Sequence, residues 1–277
     1  MRITEDLDLW VEERGPADRS PLLLVMGANA SGLTWPEPFV DRLAERLRVI
    51  RYDHRDTGRS TVAFSTRPYA IRDLAEDAVA VLDGLGVDRA HVVGMSLGGT
   101  LVQLLLLDHP DRLRSATVFA TASLAAGEDA PGPRPEVLRF WESMGDERSV
   151  EAELDWRVAH WRLLNGGVLP FDDAEFRAVE ERIIAHSGTS RFPLAHALAD
   201  QSGLDRGAEL AAVTVPTLVV AAPADPVNPP PHPALLAATI GSARLVTVPG
   251  LGHALPAAAQ RPLADAVLAF TTEVDDR

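Results

Sequence analysis

Hydrophobic residues along the chain follow two alternating patterns. Short apolar runs rich in Val and Leu occur at residues 21–27, 48–53, 91–95 and 217–222. Such runs are typical of parallel strands that are buried on both faces. Other segments place apolar side chains three and four positions apart, as an amphipathic helix does, and these are residues 36–47, 71–85 and 97–107. The alternation predicts an α/β fold with a mostly parallel, doubly wound sheet.

The remaining elements of the sheet are predicted nearer the two ends of the chain. Residues 6–13 alternate between polar and apolar positions and indicate an antiparallel edge strand, with a hairpin partner before Pro21. We also expect a strand at residues 113–121, a helix near 233–240, a strand at 244–248 and a helix at 263–274.

The alternation of strand and helix patterns ends after residue 124. Residues 125–212 contain no convincing strand pattern but do contain helical patterns at 150–164 and 172–186. We therefore expect a core domain formed by residues 1–124 and 213–277. A helical cap, residues 125–212, is inserted into it before the last two strands.

The turn between a predicted strand and a predicted helix contains the pattern G-x-S-x-G, in HVVGMSLGGT at residues 91–100. The bare pattern arises by chance in roughly one chain in a dozen of this length. Its position after a buried strand is therefore the stronger evidence for a nucleophile elbow. In a nucleophile elbow, the small Gly94 and Gly98 permit a strained turn that exposes the Ser96 hydroxyl. The turn also directs the amide of Leu97 at a developing oxyanion. The alternative is a glycine-rich turn with an incidental serine.

A serine nucleophile needs a base, and the base needs an acid that orients it. His253 lies in VPGLGHALP, just after a predicted strand, where the loops at the carboxyl ends of strands gather. Asp225, in VVAAPADPVNP, also follows a strand and comes between the serine and the histidine in chain order. The competing loop after the strand at 113–121 has no carboxylate before Glu128. The predicted catalytic residues are Ser96, Asp225 and His253, although Asp225 could also be an ordinary turn residue.

The other histidines are expected to have ordinary structural or surface roles. His54 belongs to the turn YDHRDTGRS, and the rest include His91, His109, His160, His186 and His196.

The second oxyanion donor is expected in the loop after the first long parallel strand, in VMGANASGLTW. The amide of Ala28 is the candidate, because Gly27 permits a sharp backbone path beside it. Trp35, at the end of this segment, either forms a wall of the substrate pocket or belongs to the core.

The composition narrows the chemistry. The chain has 277 residues and no cysteine, and all 26 basic residues are arginines. Thiol nucleophiles, thiolate metal sites and lysine Schiff bases are thereby excluded, and we expect neither a metal nor an organic cofactor. A net charge of −14 argues against a nucleic-acid partner. The acidic first twenty residues and a longest apolar run of only residues 211–224 argue against a signal peptide and a membrane span, and predict a cytoplasmic protein.

Several motifs together carry a family resemblance over almost the whole chain. GMSLGG, PGLGH and YDHRDTGRS resemble the α/β-hydrolase superfamily. LLLVMGANAS, VIRYDHRDTGRST, DRAHVVGMSLG, WRLLNGGVLPFDDAEF, VTVPTLVV and PGLGHALP are similar to the anthracycline methylesterases of aclacinomycin and rhodomycin biosynthesis. The similarity includes Met26 and Asp56, where many other relatives have His and Gly.

The resemblance implies a function. It implies hydrolysis of the carbomethoxy ester on the first ring of an aromatic polyketide glycoside, which releases methanol and an acid that can decarboxylate. Ser96 would be the nucleophile, His253 the base and Asp225 its acid, and the amides of Ala28 and Leu97 would form the oxyanion hole. The sequence departs from these relatives at residues 125–149 and 223–229, which leaves the glycoside length and the aglycone open.

The predicted cap contains most of the bulky aromatic side chains, namely Trp141, Trp156, Trp161, Phe171, Phe176 and Phe192. We expect most of them to pack inside the cap and some to contact a planar substrate. The candidate substrate contacts are Gly27, Trp35, Trp141, Trp161 and Phe171. Arg157 and Arg162 are expected to lie on solvated helix faces.

Two other readings of the same residues remain open. A carbon–carbon bond hydrolase, a perhydrolase or a prolyl-iminopeptidase-like peptidase could use the same triad. The peptidase would need cap carboxylates that face a substrate amine, for which Asp172, Asp173 and Glu175 are available. A non-catalytic ligand receptor on this fold is the second reading.

Overall fold

A computed structural model describes residues 1–127 and 130–277. Its strands are β1 (Arg2–Thr4), β2 (Leu7–Asp8), β3 (Val11–Arg14), β4 (Pro21–Val25), β5 (Arg48–Tyr52), β6 (Ala90–Met95), β7 (Leu113–Phe119), β8 (Thr217–Ala221) and β9 (Ala243–Thr247). The predicted parallel strands all exist, and most are one or two residues shorter than their apolar runs. The residues that were predicted at the carboxyl ends of these strands instead begin the loops that carry the candidate site residues.

Seven of these strands form the central sheet, in the order β3-β5-β4-β6-β7-β8-β9. All pairs are parallel except β3 with β5. The predicted antiparallel edge strand exists, but it covers Val11–Arg14 rather than residues 6–13, and the predicted hairpin partner before Pro21 is wrong. β3 instead pairs across the chain with β5, because that edge of the parallel sheet is open, and the short β1 and β2 pair only with each other.

Two layers of helices cover the sheet. α2 (Ile71–Gly84), α3 (Leu97–Asp108) and α8 (His232–Thr239) bury their apolar side chains in one core cluster. α1 (Glu37–Ala44) and α9 (Ala257–Asp275) pack on the opposite face in a second cluster. α9 begins six residues before the predicted start at residue 263, and Pro262 lies inside the helix rather than before it. Among the described residues, no helix is both long and apolar enough to cross a bilayer.

A helical insertion separates β7 from β8. It comprises α4 (Pro135–Trp141), α5 (Val150–Leu164), α6 (Asp173–Ser187) and α7 (Ala195–Leu198). The hydroxyl of Ser149 accepts the amide of Ala152 at the start of α5, and the carboxylate of Asp172 begins α6 in the same way. Gly188, with a φ of 72°, ends α6 in the left-handed conformation that suits glycine. These local signals explain why the sequence predicted both helices closely.

Candidate active site

Ser96 occupies a strained turn between β6 and α3. Its φ of 56° and ψ of −123° lie outside the regions that side-chain-bearing residues favour. A Cβ on Gly98 would collide with the carbonyl oxygen of Val25, and one on Gly94 would collide with the carbonyl of Gly98. The two glycines are therefore required by space, and the turn leaves Ser96 partly exposed at the carboxyl end of the sheet.

Replacement of Gly98 by alanine should destabilise this turn. Because the colliding atom belongs to the backbone of β4, it cannot rotate away, and we expect a loss of about 3 kcal/mol in the free energy of unfolding. Gly132 is the matched control, since a Cβ there meets no atom of the described residues within 4 Å and its φ is unstrained. Denaturant unfolding followed by circular dichroism measures both variants. Equal stability of G98A and G132A would contradict the steric argument.

Three side chains from separate loops form a continuous hydrogen-bonded chain. The Nε2 of His253 lies 3.0 Å from the Oγ of Ser96. Its Nδ1 lies 3.0 and 2.9 Å from the two carboxylate oxygens of Asp225. Asp225 is fully buried, whereas Ser96 is partly exposed to the cavity described below. The predicted base thus lies within hydrogen-bond distance of both the predicted nucleophile and the predicted acid.

The carboxylate of Asp225 is held in its ionised form. Burial alone raises the pKa of this group. The charge and hydrogen bond of His253 oppose that effect, as do hydrogen bonds from the amides of Asn228 and Val227 at 3.0 and 2.7 Å, and the net result is a lowered pKa. The carboxylate is therefore fixed in position and accepts a hydrogen bond from the Nδ1–H group of His253.

The helical insertion supports the loops that carry the acid and the base. The amide of His253 donates to the carbonyl of Leu164, at the end of α5, at 2.8 Å. A Cβ on Gly252 would collide with the carbonyl of Asn165, and one on Gly166 would collide with that of Ala224. Such close backbone contact requires glycine on both sides, and it ties the orientation of the two loops to the position of α5.

The loop after β4 lies beside the serine, as predicted. A Cβ on Gly27 would lie 3.2 Å from the Cβ of Ser96. Among the residues that the structure describes, the amides of Ala28 and Leu97 have no hydrogen-bond acceptor. Both amides therefore remain available for an oxygen bound beside Ser96. The predicted structural role of His54 fits its position, because its Nε2 bonds the carbonyl of Met26 in the same loop at 2.9 Å.

A histidine of the helical insertion clamps this loop, which the sequence analysis missed. The amide of Asn29, next to Ala28, donates to the Nδ1 of His196 at 2.8 Å, and the amide of His196 donates to the Oδ1 of Asn29 at 3.1 Å. The Nε2 of His196 donates to the carbonyl of Arg55 at 3.0 Å. Burial, with His54 nearby, lowers the pKa of His196 to about 3, so the ring is neutral and can accept at Nδ1. The clamp holds Asn29 at a φ of 58°.

The variant His196→Phe should impair turnover more than substrate binding. It keeps the ring but removes the acceptor for the Asn29 amide, so Ala28 loses its fixed position, and we expect kcat to fall about tenfold or more. KM should change little, because an oxyanion hole acts mainly in the transition state. His196→Asn should recover part of the loss, and His109→Phe, far from the loop, is the control. Unchanged kcat in a folded H196F protein would refute the clamp.

A cavity of about 360 Å³ lies between the sheet and the helical insertion, with Ser96 and His253 on its wall. Of the predicted contacts, Gly27, Trp141 and Trp161 line it. Its other apolar wall residues include Met26, Met95, Leu164, Ile183, Phe192 and Val227. Among the residues described, no group of three or more His, Asp or Glu side chains is arranged to hold a metal ion.

Two predicted substrate contacts do not line this cavity. Trp35 is fully buried and stacks on Phe39 at 5.4 Å between ring centroids, with Phe119 at its edge. Because α1 covers it from the other side, Trp35 belongs to the core. Phe171 stacks on Phe176 at 4.4 Å within the insertion. Trp35 thus packs on a ring four residues away and on the distant Phe119, whereas Phe171 packs on a ring five residues away.

The prediction that Arg157 is solvated is wrong. Its side chain is 5% exposed, and its guanidinium bonds Glu153 at 2.8 Å, Glu180 at 2.9 Å and the carbonyl of Ser190 at 2.9 Å. Glu180 also accepts the indole N–H of Trp161 at 2.6 Å. The buried charges are therefore paired, as burial requires. Arg162 is exposed and pairs with Asp173.

The three acidic residues considered for an amine substrate have other partners. Asp172 accepts backbone amides at the start of α6, Asp173 pairs with Arg162, and Glu175 accepts the side-chain amide of Gln260 at 3.0 Å. None of the three lines the large cavity. The geometry therefore does not favour a peptidase that binds an amino terminus there.

The sheet, the serine elbow and the inserted helices define a class of protein. The family described as alpha/beta hydrolase fold matches residues 20–256, and the chain belongs to this family. The chain is a carboxylic ester hydrolase and groups with methylesterases. The predicted fold and the predicted family resemblance are confirmed.

Particular relatives narrow the comparison. The chain is 44% identical over 289 residues to rhodomycin D methylesterase DauP of Streptomyces sp. (strain C5), with 98% of this chain and 97% of the relative covered. It has the same identity and coverage with rhodomycin D methylesterase DnrP of Streptomyces peucetius. Among solved structures, a hydrolase from Pseudomonas aeruginosa PA01 superposes with a TM-score of 0.74 at 29% identity, with 97% of this chain and 96% of that chain covered.

Proposed function

We propose that this protein hydrolyses the methyl ester of an anthracycline-type aromatic polyketide. The observation that carries the proposal is the hydrogen-bonded chain from Ser96 through His253 to Asp225, which opens into a largely apolar cavity. The 44% identity to rhodomycin D methylesterases supports the substrate class. Ser96, His253 and Asp225 are the proposed catalytic residues.

The proposed mechanism follows from the distances. Ser96 attacks the ester carbonyl while the Nε2 of His253, 3.0 Å from the hydroxyl, removes its proton. The amides of Ala28 and Leu97 bind the oxygen of the tetrahedral intermediate. His253 then protonates the departing methoxide, so that methanol is released and Ser96 remains acylated. The same imidazole activates a water molecule that releases the carboxylic acid.

The shape and surface of the cavity support a planar aromatic substrate. Its volume of about 360 Å³ falls in the range of small-molecule sites. Indole and imidazole rings from α4 and α5 face thioether and aliphatic side chains of the core, and flat apolar walls of this kind suit a fused ring system. If the released carboxyl group adjoins a ketone, the product would lose carbon dioxide without further help from the protein.

The proposed domain division places the substrate at the boundary between two units. We propose a core domain of residues 1–124 and 213–277 and a cap of residues 125–212, of which residues 128 and 129 lie outside the described part. The cap excludes water from the ester and supplies the aromatic walls. Both effects strengthen the electrostatic stabilisation of the oxyanion.

The direct test is release of methanol from a carbomethoxy anthracycline. The wild-type protein should release one methanol for each molecule of acid or of its decarboxylation product, whereas Ser96→Ala should produce none of these above background. Hydrolysis of simple aryl esters is measured alongside. If the protein cleaves aryl esters but releases no methanol from the anthracycline, the proposed substrate is wrong and the protein is an esterase with another substrate. A stable acid product would show that decarboxylation does not follow.

A further inference from the structure

A histidine that the proposed mechanism does not use lies on the wall of the catalytic cavity. His160, on α5, lines the same cavity as Ser96 and His253, and only 9% of its surface is exposed. The indole N–H of Trp141 points at its Nε2, with 2.9 Å between the two nitrogens. Because an indole nitrogen can only donate, the Nε2 of His160 must accept and carries no proton.

The proton of the neutral ring is therefore on Nδ1. Burial, with His253 nearby, lowers the pKa of His160 to about 3, so the ring stays neutral over the working range of an esterase. Within the described part of the chain, Nδ1 has no hydrogen-bond partner, and because it is not among the unpartnered polar atoms that are fully buried, part of its surface is exposed. The Nδ1–H group of His160 is thus an unused donor.

Aromatic neighbours hold this donor in one orientation. The ring of His160 lies parallel to Phe140, with 5.5 Å between centroids and 9° between planes. Trp156 packs against it at 5.3 Å, and Trp161 at 6.1 Å. With its Nε2 fixed by Trp141, the ring cannot turn without losing a buried hydrogen bond. The donor is therefore preorganised and adds no ordering cost when it binds an acceptor.

The other two polar side chains that α5 places on the cavity wall already have acceptors. Trp161 donates its indole N–H to Glu180 at 2.6 Å. Each guanidinium nitrogen of Arg157 has an acceptor, and Glu180 accepts from both residues. Of the polar side chains that α5 places on the wall, His160 is therefore the one whose donor has no partner among the described residues, and it can bind a hydrogen-bond acceptor on a ligand. A donor in this position favours a carbonyl or phenolic oxygen and disfavours an ammonium group.

We propose that the Nδ1–H of His160 binds a ring oxygen of the aromatic substrate and so sets the position of the ring system relative to Ser96. The ligand chemistry is a planar aromatic ketone or quinone. This inference rests on the proposed function, because it names the contact that selects the substrate of the same site. His160 is then a specificity-determining residue, while Ser96, His253 and Asp225 carry the bond cleavage.

The test uses His160→Phe, which keeps a flat ring and removes the donor, on two methyl esters of similar size. One is an anthraquinone carboxylate methyl ester and the other is the anthracene carboxylate methyl ester, which lacks the ring carbonyls. We expect kcat/KM of H160F to fall about tenfold more on the quinone ester than on the anthracene ester, a difference typical of one lost hydrogen bond. His109→Phe, remote from the cavity, is the matched control. Equal losses on both esters would overturn the proposal.

A second measurement does not require the His160 variant to fold or any ester to be cleaved. Ser96→Ala protein labelled with ¹⁵N-histidine is titrated with anthraquinone carboxylate. We expect the Nε2 resonance of His160 to show an unprotonated nitrogen and the Nδ1–H resonance to shift on binding. Binding without a shift would refute the contact. Wild-type protein that cleaves the anthraquinone ester but not carbomethoxy anthracyclines would refute the proposed function and leave this inference standing.

Discussion

Replacement of Ser96 by alanine is expected to lower kcat for ester hydrolysis by about six orders of magnitude, the loss typical when a serine nucleophile is removed from an intact triad. The alanine keeps the Cβ, and the turn that positions residue 96 depends on Gly94 and Gly98. The variant should therefore fold and bind substrate with little change in affinity. The substitution removes only the hydroxyl oxygen, which lies 3.0 Å from the Nε2 of His253.

Two measurements check this result. Single-turnover hydrolysis of an aryl ester gives the rate, and intact-protein mass spectrometry after treatment with a serine-directed phosphonate gives the site of modification. Wild type should gain one adduct on Ser96, and Ser96→Ala none. Ser202→Ala, which changes an exposed serine in a distant loop, is the control and should behave as wild type. A wild-type adduct on another serine would contradict the mechanism.

The variant Asp225→Asn is expected to lower kcat by about four orders of magnitude. Asn has nearly the same shape and can still accept the amides of Val227 and Asn228, so the loop should keep its structure. Its side-chain amide, however, can present an N–H to the Nδ1 of His253 and so favour the tautomer with the proton on Nε2. That tautomer cannot accept the proton of Ser96. The uncharged amide also fails to stabilise the imidazolium that forms during the reaction.

The comparison needs a matched change of charge elsewhere. Asp265→Asn removes a carboxylate from the solvent side of α9, where Asp265 pairs with Arg42, and should leave kcat within about twofold. Thermal unfolding of both variants separates a catalytic loss from a folding loss. A decrease of less than a hundredfold in a folded D225N protein would show that Asp225 does not orient the base.

Local patterns predicted most of the sheet and its helices. The apolar runs at residues 21–27, 48–53, 91–95 and 217–222 predicted β4, β5, β6 and β8, because a strand buried on both faces needs a continuous apolar segment wherever it lies in the fold. Helices α5 and α6 were predicted closely because Ser149 and Asp172 cap them within a few residues. The start of α9 was missed because a proline in a helix interior removes a backbone hydrogen bond and usually breaks the helix, whereas here Pro262 lies inside the helix.

The serine turn was predictable for the same reason. The two glycines that the turn requires lie within two residues of Ser96, so a short segment of sequence is enough to recognise the steric requirement. Placement of Asp225 and His253 after predicted strands was enough to expect them at one edge of the sheet, and the structure brings all three within hydrogen-bond distance. Their catalytic roles remain predictions that the experiments above address.

By itself, then, the sequence determined which segments form strands and helices, the order of the fold and the turn that exposes Ser96, because each depends on neighbouring residues. Tertiary structure alone decided which side chains reach the cavity. Trp35 is covered by α1, Arg157 is buried by two carboxylates, and His160 and His196 acquire their fixed tautomers from Trp141 and Asn29. Burial and a donor's partner depend on residues far apart in the chain, and a linear pattern carries no record of them.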